Sequence, residues 1–333
     1  MAVRSLIAIA AMIVAMICGV AGAFAAEAKS DAKTVRVGVL KFGTVSWQLD
    51  VIRRYNIDTD LGFRIEPVEL ANGQATQVAL QAGAVDVIIN DFFWVSRQRG
   101  EGADWTFIPF SSALGAIEVP ANSPIHTIPD LKGHTLGVAG TPIDRSWLML
   151  RILARQHYGF DIDAETSHPF AAAPLIAEQL RSGRADAVLT FWPSAAKLEA
   201  LGMHRIISMN DVLAELGVSP HLPVNGYVFS DKWAAANPGL PHLFFEAIRQ
   251  TNERLAKDDG EWQKLFALTG ATDQAELSHL RDAFRDGIPQ HWGSEDREQA
   301  AKLYHLLSEI GGAAFVGNQP ELAPGTFSEA VSF

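Results

Sequence analysis

ALQAGAVDVIINDFFW (residues 79–94) and EQLRSGRADAVLTFWP (residues 178–193) decide how this chain is read. Leu80, Gly83 and Asp86 of the first stretch are answered by Leu180, Gly183 and Asp186 of the second. In each, apolar residues at helical spacing run into a glycine, and a short aliphatic run follows. Glycine at that position is a helix stop, because it accepts the left-handed conformation without penalty. The run after it has the length of a buried strand. One helix–stop–strand unit is written twice, and Ser46-Trp47 with Ser146-Trp147 extends the match.

Outward from these stretches the pattern alternates. TVRVGVL (34–40) reads as a strand, VSWQLDVIRRY (45–55) as a helix, FRIEPVEL (63–70) as a strand and ATQVALQA (75–82) as a helix. VDVIIN (85–90) is the next strand. This alternation predicts a mostly parallel sheet with helices on both faces. The order restarts with HTLGVAG (134–140), a helix over 142–158 with Thr141 as its cap, and ADAVLTF (185–191). Two such units are too few for a solenoid and fit two lobes of one topology. After Pro220 a strand, VNGYVFS, is followed by helices. Ser294 caps the last of these, Gly311-Gly312 stop it, and the residues beyond Ala314 read as coil.

The formal charge of −11 has no Lys/Arg cluster set against it, so a nucleic-acid partner is not expected. The first residues form a separate element. Arg4, an apolar run from Leu6 to Val20 and the Ala-Phe-Ala of residues 23–25 are the parts of a cleaved signal peptide over 1–26. An uncleaved anchor is the rival reading, since about 17–25 apolar residues span a bilayer. The cleavage pattern and the polar EAKSDAK that follows favour export to the periplasm. Cys18, the one cysteine, has Ile17 and Ala15 where a lipoprotein signal wants a small residue and Leu. The mature chain is therefore expected to lack disulfides and not to span the membrane.

No nucleophile elbow, P-loop, dinucleotide fingerprint or HExxH zinc motif is present. Catalytic residues, a metal site and a cofactor are accordingly not expected. Binding chemistry is better represented, because ligands in α/β sheets sit beyond the carboxyl ends of strands. The residues at those ends are Thr44, Ser46 and Trp47, then Asn90, Asp91 and Phe92. In the second unit they are Thr141, Arg145 and Ser146, then Phe191 and Trp192. Rings grip organic groups and a few polar atoms orient them. Several of these have structural readings too. Asp144 suits a helix start better than a ligand, Asp91 suits a cap, and of Ser46 and Trp47 either one faces the cleft.

At these residues the mature chain resembles the periplasmic solute-binding proteins of ABC importers, in the nitrate, sulfonate, taurine and thiamine-precursor group. The resemblance rests on the doubled Leu-x-x-Gly-x-x-Asp turn, on SPIHTIPDLKG (123–133) and on NGYVFSDKWAAANP (225–238), in that order along the chain. It implies a type II periplasmic binding fold: α/β, two lobes of doubly wound sheet joined by a two-crossing hinge, with a helical C-terminal part. The lobes would be residues 34–116, residues 117–220, and a return to lobe 1 over 221–333. It implies capture of a small organic molecule between the lobes and delivery to an inner-membrane ABC permease, without catalysis. VGVLKFGTVSWQLDVI (37–52) is also similar to a subset in methylotrophs encoded near quinoprotein alcohol dehydrogenases. That implies, as an alternative, a receptor for a metal chelate or other solute in lanthanide-dependent alcohol metabolism. A pyrimidine-precursor-type enzyme on the same fold is the third alternative.

Overall fold

The computed structural model describes residues 33–40, 43–329, 331 and 333; the segment read as a signal peptide lies outside them. Lobe 1 opens with β1 (Lys33–Leu40), α1 (Val45–Tyr55), β2 (Phe63–Leu70) and α2 (Gly73–Gln81). It continues with β3 (Val87–Asp91), α3 (Phe92–Gly100) and β4 (Trp105–Ser111). Lobe 2 holds β5 (Gly115–Val119), β6 (Leu136–Ala139), α4 (Arg145–Tyr158), β7 (Phe170–Ala171) and α5 (Ala173–Arg181). It closes with β8 (Ala187–Phe191), α6 (Trp192–Ala200), β9 (His204–Ser208) and α7 (Met209–Glu215). Strand β10 (Asn225–Ser230) rejoins the first sheet. Helices α8 (Leu240–Lys257), α9 (Asp259–Thr269), α10 (Gln274–Asp286) and α11 (Ser294–Val316) follow.

The two sheets have matching orders, β2-β1-β3-β10-β4 and β7-β6-β8-β5-β9. The doubled phrase builds the same corner in each. Gly83 and Gly183 hold φ of 68° and 72°, and their N–H groups donate to the carbonyls of Leu80 and Leu180. The next N–H groups, of Ala84 and Arg184, reach back to the carbonyls of Ala79 and Gln179. Each aspartate then fastens the neighbouring strand. Asp86 accepts from the Arg36 amide (2.8 Å) and guanidinium (2.6 and 3.0 Å), and Asp186 accepts from the Thr135 amide (2.8 Å). The repeated residues are scaffold.

The sheets are mixed, which corrects the expectation of a mostly parallel arrangement. Strands β1 and β3 run parallel, as do β6 and β8, but β10 is antiparallel to β3 and β5 is antiparallel to β8. The reason is the route of the chain. A strand arriving from the other lobe enters at the cleft end of its sheet, so it runs opposite to strands that leave there. Asn225 is thus paired with Asp91, and Gly115 with Phe191. A Cβ on Gly115 would lie 1.7 Å from the Thr190 carbonyl oxygen, so only glycine permits this close approach.

Two passages carry the chain between sheets, one between β4 and β5 and one between α7 and β10. The Asn210 side-chain amide donates to the Ser112 carbonyl of the first (2.9 Å) and the Pro220 carbonyl of the second (2.6 Å). The C-terminal helices rest on both lobes: α10 packs on α6, and α11 packs on α3 and on α4. Three boundaries differ from the sequence reading. Gly293, not Ser294, occupies the cap of α11, where Asp296 accepts its amide at 2.8 Å. The glycine break falls at Gly312, and a further helical turn to Val316 follows it. The tail is not plain coil, since Phe327 bridges to Phe107 on β4 and packs its ring, half-buried, against Phe92, Phe107 and Trp292.

Candidate functional site

Strands β1, β3, β6 and β8 each deliver the chain into a helix at the same end of the sheet, so α1, α3, α4 and α6 all start there. Among the described residues, two contacts between the lobes on this rim involve residues singled out from the sequence. At the first, Arg145 on α4 reaches across to lobe 1. Its Nη1 donates to Asp91 Oδ2 at 3.2 Å and its Nη2 to Asn225 Oδ1 at 3.0 Å. The Arg145 and Asp91 side chains are 18% and 22% exposed, so the pair is partly shielded from water. Asp91 is also the cap of α3, with Oδ1 accepting the Trp94 amide at 2.8 Å. The cap role is thus filled by Oδ1, while Oδ2 faces the Arg145 guanidinium of the other lobe.

At the second place the contact is aromatic. Trp47 of α1 meets Trp192 of α6 edge to face, with centroids 5.9 Å apart. Trp262 of α9 and Phe284 of α10 stand at 5.7 and 5.9 Å from Trp47 and complete the cluster. Beside it lies a cavity of about 440 Å³ lined by Thr44, Trp47, Pro193, Lys197, Leu201 and Leu268, among others. Its walls are largely apolar and come from both lobes, and its size suits a small ligand.

The remaining residues singled out from sequence divide. Thr44 and Trp47 line this cavity, and Trp192 borders another, smaller one at the passage between β4 and β5. Phe191, at the start of α6, is exposed. Asn90 turns its Oδ1 onto the Asp91 amide (2.9 Å). Ser46 points elsewhere. Its Oγ donates to the Leu40 carbonyl and it lines a separate cavity between α1 and β2. Phe92 is fully buried against Phe93, Phe107 and Phe327 and offers no ring surface to a ligand. Its position just inside the helix turns it toward the core rather than the cleft. Thr141 is exposed and does not cap α4; Asp144 does, accepting the amide of buried Ser146 at 2.8 Å. Burial raises the Asp144 pKa, while Arg145 and the Ser146 amide oppose the rise. Asn225 was missed from sequence. The signal was its place at the head of NGYVFS, a strand that only the fold shows to be antiparallel to β3.

A second ionisable cluster sits where α6, with α10 packed on it, covers the second sheet. Glu118, in the middle of β5, is fully buried, and neither carboxyl oxygen has a hydrogen-bond partner. Arg205 of β9 lies 3.8 Å away and pairs more closely with Glu199 of α6, at 2.5 Å. His279 of α10 stands 3.5 Å from the same Glu199. Burial, then the charge of Glu199, pushes the Glu118 pKa up to about 8, against the pull of Arg205.

The NMT1/THI5-like family model matches residues 59–261. The chain therefore belongs to the NMT1/THI5-like family. Among solved structures it is similar to the periplasmic aliphatic sulphonate binding protein SsuA from Escherichia coli, with TM-score 0.71 and 17% identity over 90% of this chain and 94% of that one. The alkanesulfonate-binding protein SsuA from Xanthomonas axonopodis pv. citri, bound to MOPS, gives 0.65 and 18% over 87% and 98%. The desulfurization enzyme DSZB gives 0.60 and 15% over 84% and 92%. At these identities the likeness is one of fold, and that fold is the two-lobed one of periplasmic binding proteins. No curated protein sequence matches the chain. Among the described residues no helix is long and apolar enough to cross a membrane.

Proposed function

We propose that this member of the NMT1/THI5-like family is the solute-binding component of an ABC-type importer, exported to the periplasm and holding a small organic solute between its lobes. The observation that carries the reading is the rim itself. Two lobes of one topology bring a charged pair and an aromatic pair face to face where their strands end. A hinged receptor needs groups from both sides to meet on one ligand. The fold of the SsuA proteins, whose names give sulfonates as ligands, supports sulfonates as the first to try, with taurine and nitrate added on the resemblance of the sequence. The residues proposed to face the solute are Thr44, Trp47, Asn90, Asp91, Arg145, Phe191, Trp192 and Asn225. The partner that would receive the solute is an inner-membrane permease.

The test is a ligand screen with two readouts on the mature protein. A bound solute raises the unfolding midpoint, by the equivalent of about 2.7 kcal/mol at a hundredfold excess over Kd. It also compacts the molecule in small-angle scattering. A panel of sulfonates, taurine, nitrate and pyrimidines that moves neither readout overturns the proposal. Recovery of the bound solute unchanged after long incubation separates binding from turnover.

A further inference from the structure

The polar contact between the lobes has a property that the SsuA comparison does not supply: its charges cancel. Arg145 brings one positive charge from lobe 2, and Asp91 one negative charge from lobe 1. Asn225 adds a neutral acceptor on Arg145. Asp144, the other nearby carboxylate, is turned onto the Ser146 amide at the start of its own helix. At 3.2 Å the Arg145–Asp91 contact is longer than the roughly 2.7–2.9 Å of a tight charge-assisted bond.

A solute seated between the lobes at this contact has to part the pair. If it carries negative charge alone, it gives Arg145 a new partner and leaves Asp91 Oδ2 without one in a partly shielded place. If it carries positive charge alone, Arg145 is the group left over. Stranding one member of a shielded pair costs more than an ordinary surface contact returns. Only a solute with both charges replaces the single contact by two. We infer that the Arg145–Asp91 pair selects dipolar solutes, which carry an anionic and a cationic group on one small molecule, over solutes that are simple anions. The anionic group goes to Arg145 and the cationic group to Asp91. The inference rests on the reading that the solute binds between the lobes, and it makes Asp91 the residue that sets specificity.

The experiment compares pairs of nearly equal shape by calorimetry and scattering: taurine against propanesulfonate, and β-alanine against butyrate. The wild-type protein is expected to bind at least one dipolar member about tenfold more tightly than its anionic partner. Asp91→Asn keeps the helix cap, because asparagine caps as well as aspartate, and removes only the charge. In that variant the preference is expected to shrink to about twofold or to reverse, and Arg145→Gln is expected to weaken both members of a pair together. If the wild-type protein binds the anions as tightly, or if Asp91→Asn leaves the ratio unchanged, while the lobes still close on ligand, this inference falls and the importer reading stands. If no member of either pair binds or compacts the wild-type protein, this inference falls, and the importer reading falls with it only if nitrate and the pyrimidines also leave both readouts unmoved.

Discussion

The lobes meet through Arg145, Asp91 and Asn225 at one point of the rim and through Trp47, Trp192, Trp262 and Phe284 at another. The first contact is directional, partly solvated and made by three side chains. The second is nearly water-free on the lobe 1 side, where Trp47 and Trp262 are buried, and it is made of apolar ring surface. The two contacts therefore differ in how readily they can be exchanged for others. Rings packed edge to face lose their gain over a fraction of an ångström, whereas a partly exposed ion pair can trade partners at small net cost.

The largest effect expected is on the aromatic side. Trp47→Ala should cost about 3–5 kcal/mol in denaturant unfolding, with little dependence on salt. A loss below about 1 kcal/mol would mean that the ring contacts of this cluster add little to stability. Next is Glu118, beneath the same two helices that carry Trp192 and Phe284. Its folded pKa, about 8, lies above the ordinary 4.5. The neutral carboxyl is thus the form that folding favours, and its contribution is complete below about pH 4.5 and lost as pH rises through about 8. Stability measured relative to Glu118→Gln should therefore fall by about 1–3 kcal/mol across that window. A flat difference would show that the charge at Glu118 is compensated, for instance by Arg205.

On the polar side the effects shrink. A double-mutant cycle of Arg145→Met with Asp91→Asn should give a coupling of about 1–2 kcal/mol that declines as salt is raised. A coupling as large as the aromatic loss, and indifferent to salt, would erase the contrast between the two contacts. Smallest is Asn225→Ala, which removes one neutral acceptor from Arg145 and should cost about 0.5–1.5 kcal/mol by thermal unfolding.

What the sequence disclosed follows from range. The Gly83 and Gly183 stops and the Asp86 and Asp186 clamps were legible because they depend on a few neighbouring residues and on a backbone conformation that glycine favours. The site was legible only as a set of strand ends. Asp91 and Arg145 were both on that set, but their meeting depends on how one lobe faces the other, which no local pattern encodes. Phe92 lay on it wrongly, since one residue beyond Asp91 the helix has already turned inward. Thr141 looked like a cap because Pro142 and Asp144 follow at cap spacing, yet Asp144 caps three residues later. Antiparallel β5 and β10 were hidden for the same reason as Asn225: their direction is set by where the chain crosses, and crossing is a property of the whole fold.

The amide of Asn210 has two N–H bonds, and it gives one to each passage between the sheets. Two separate strands of a hinge can in principle flex independently, which lets the lobes twist as well as open. Tied to a common point, they share a pivot. Any motion of the lobes about that pivot would be closer to a door's than to a ball joint's. Under the proposed opening and closing, Arg145 on one leaf would return to the same place opposite Asp91 on the other.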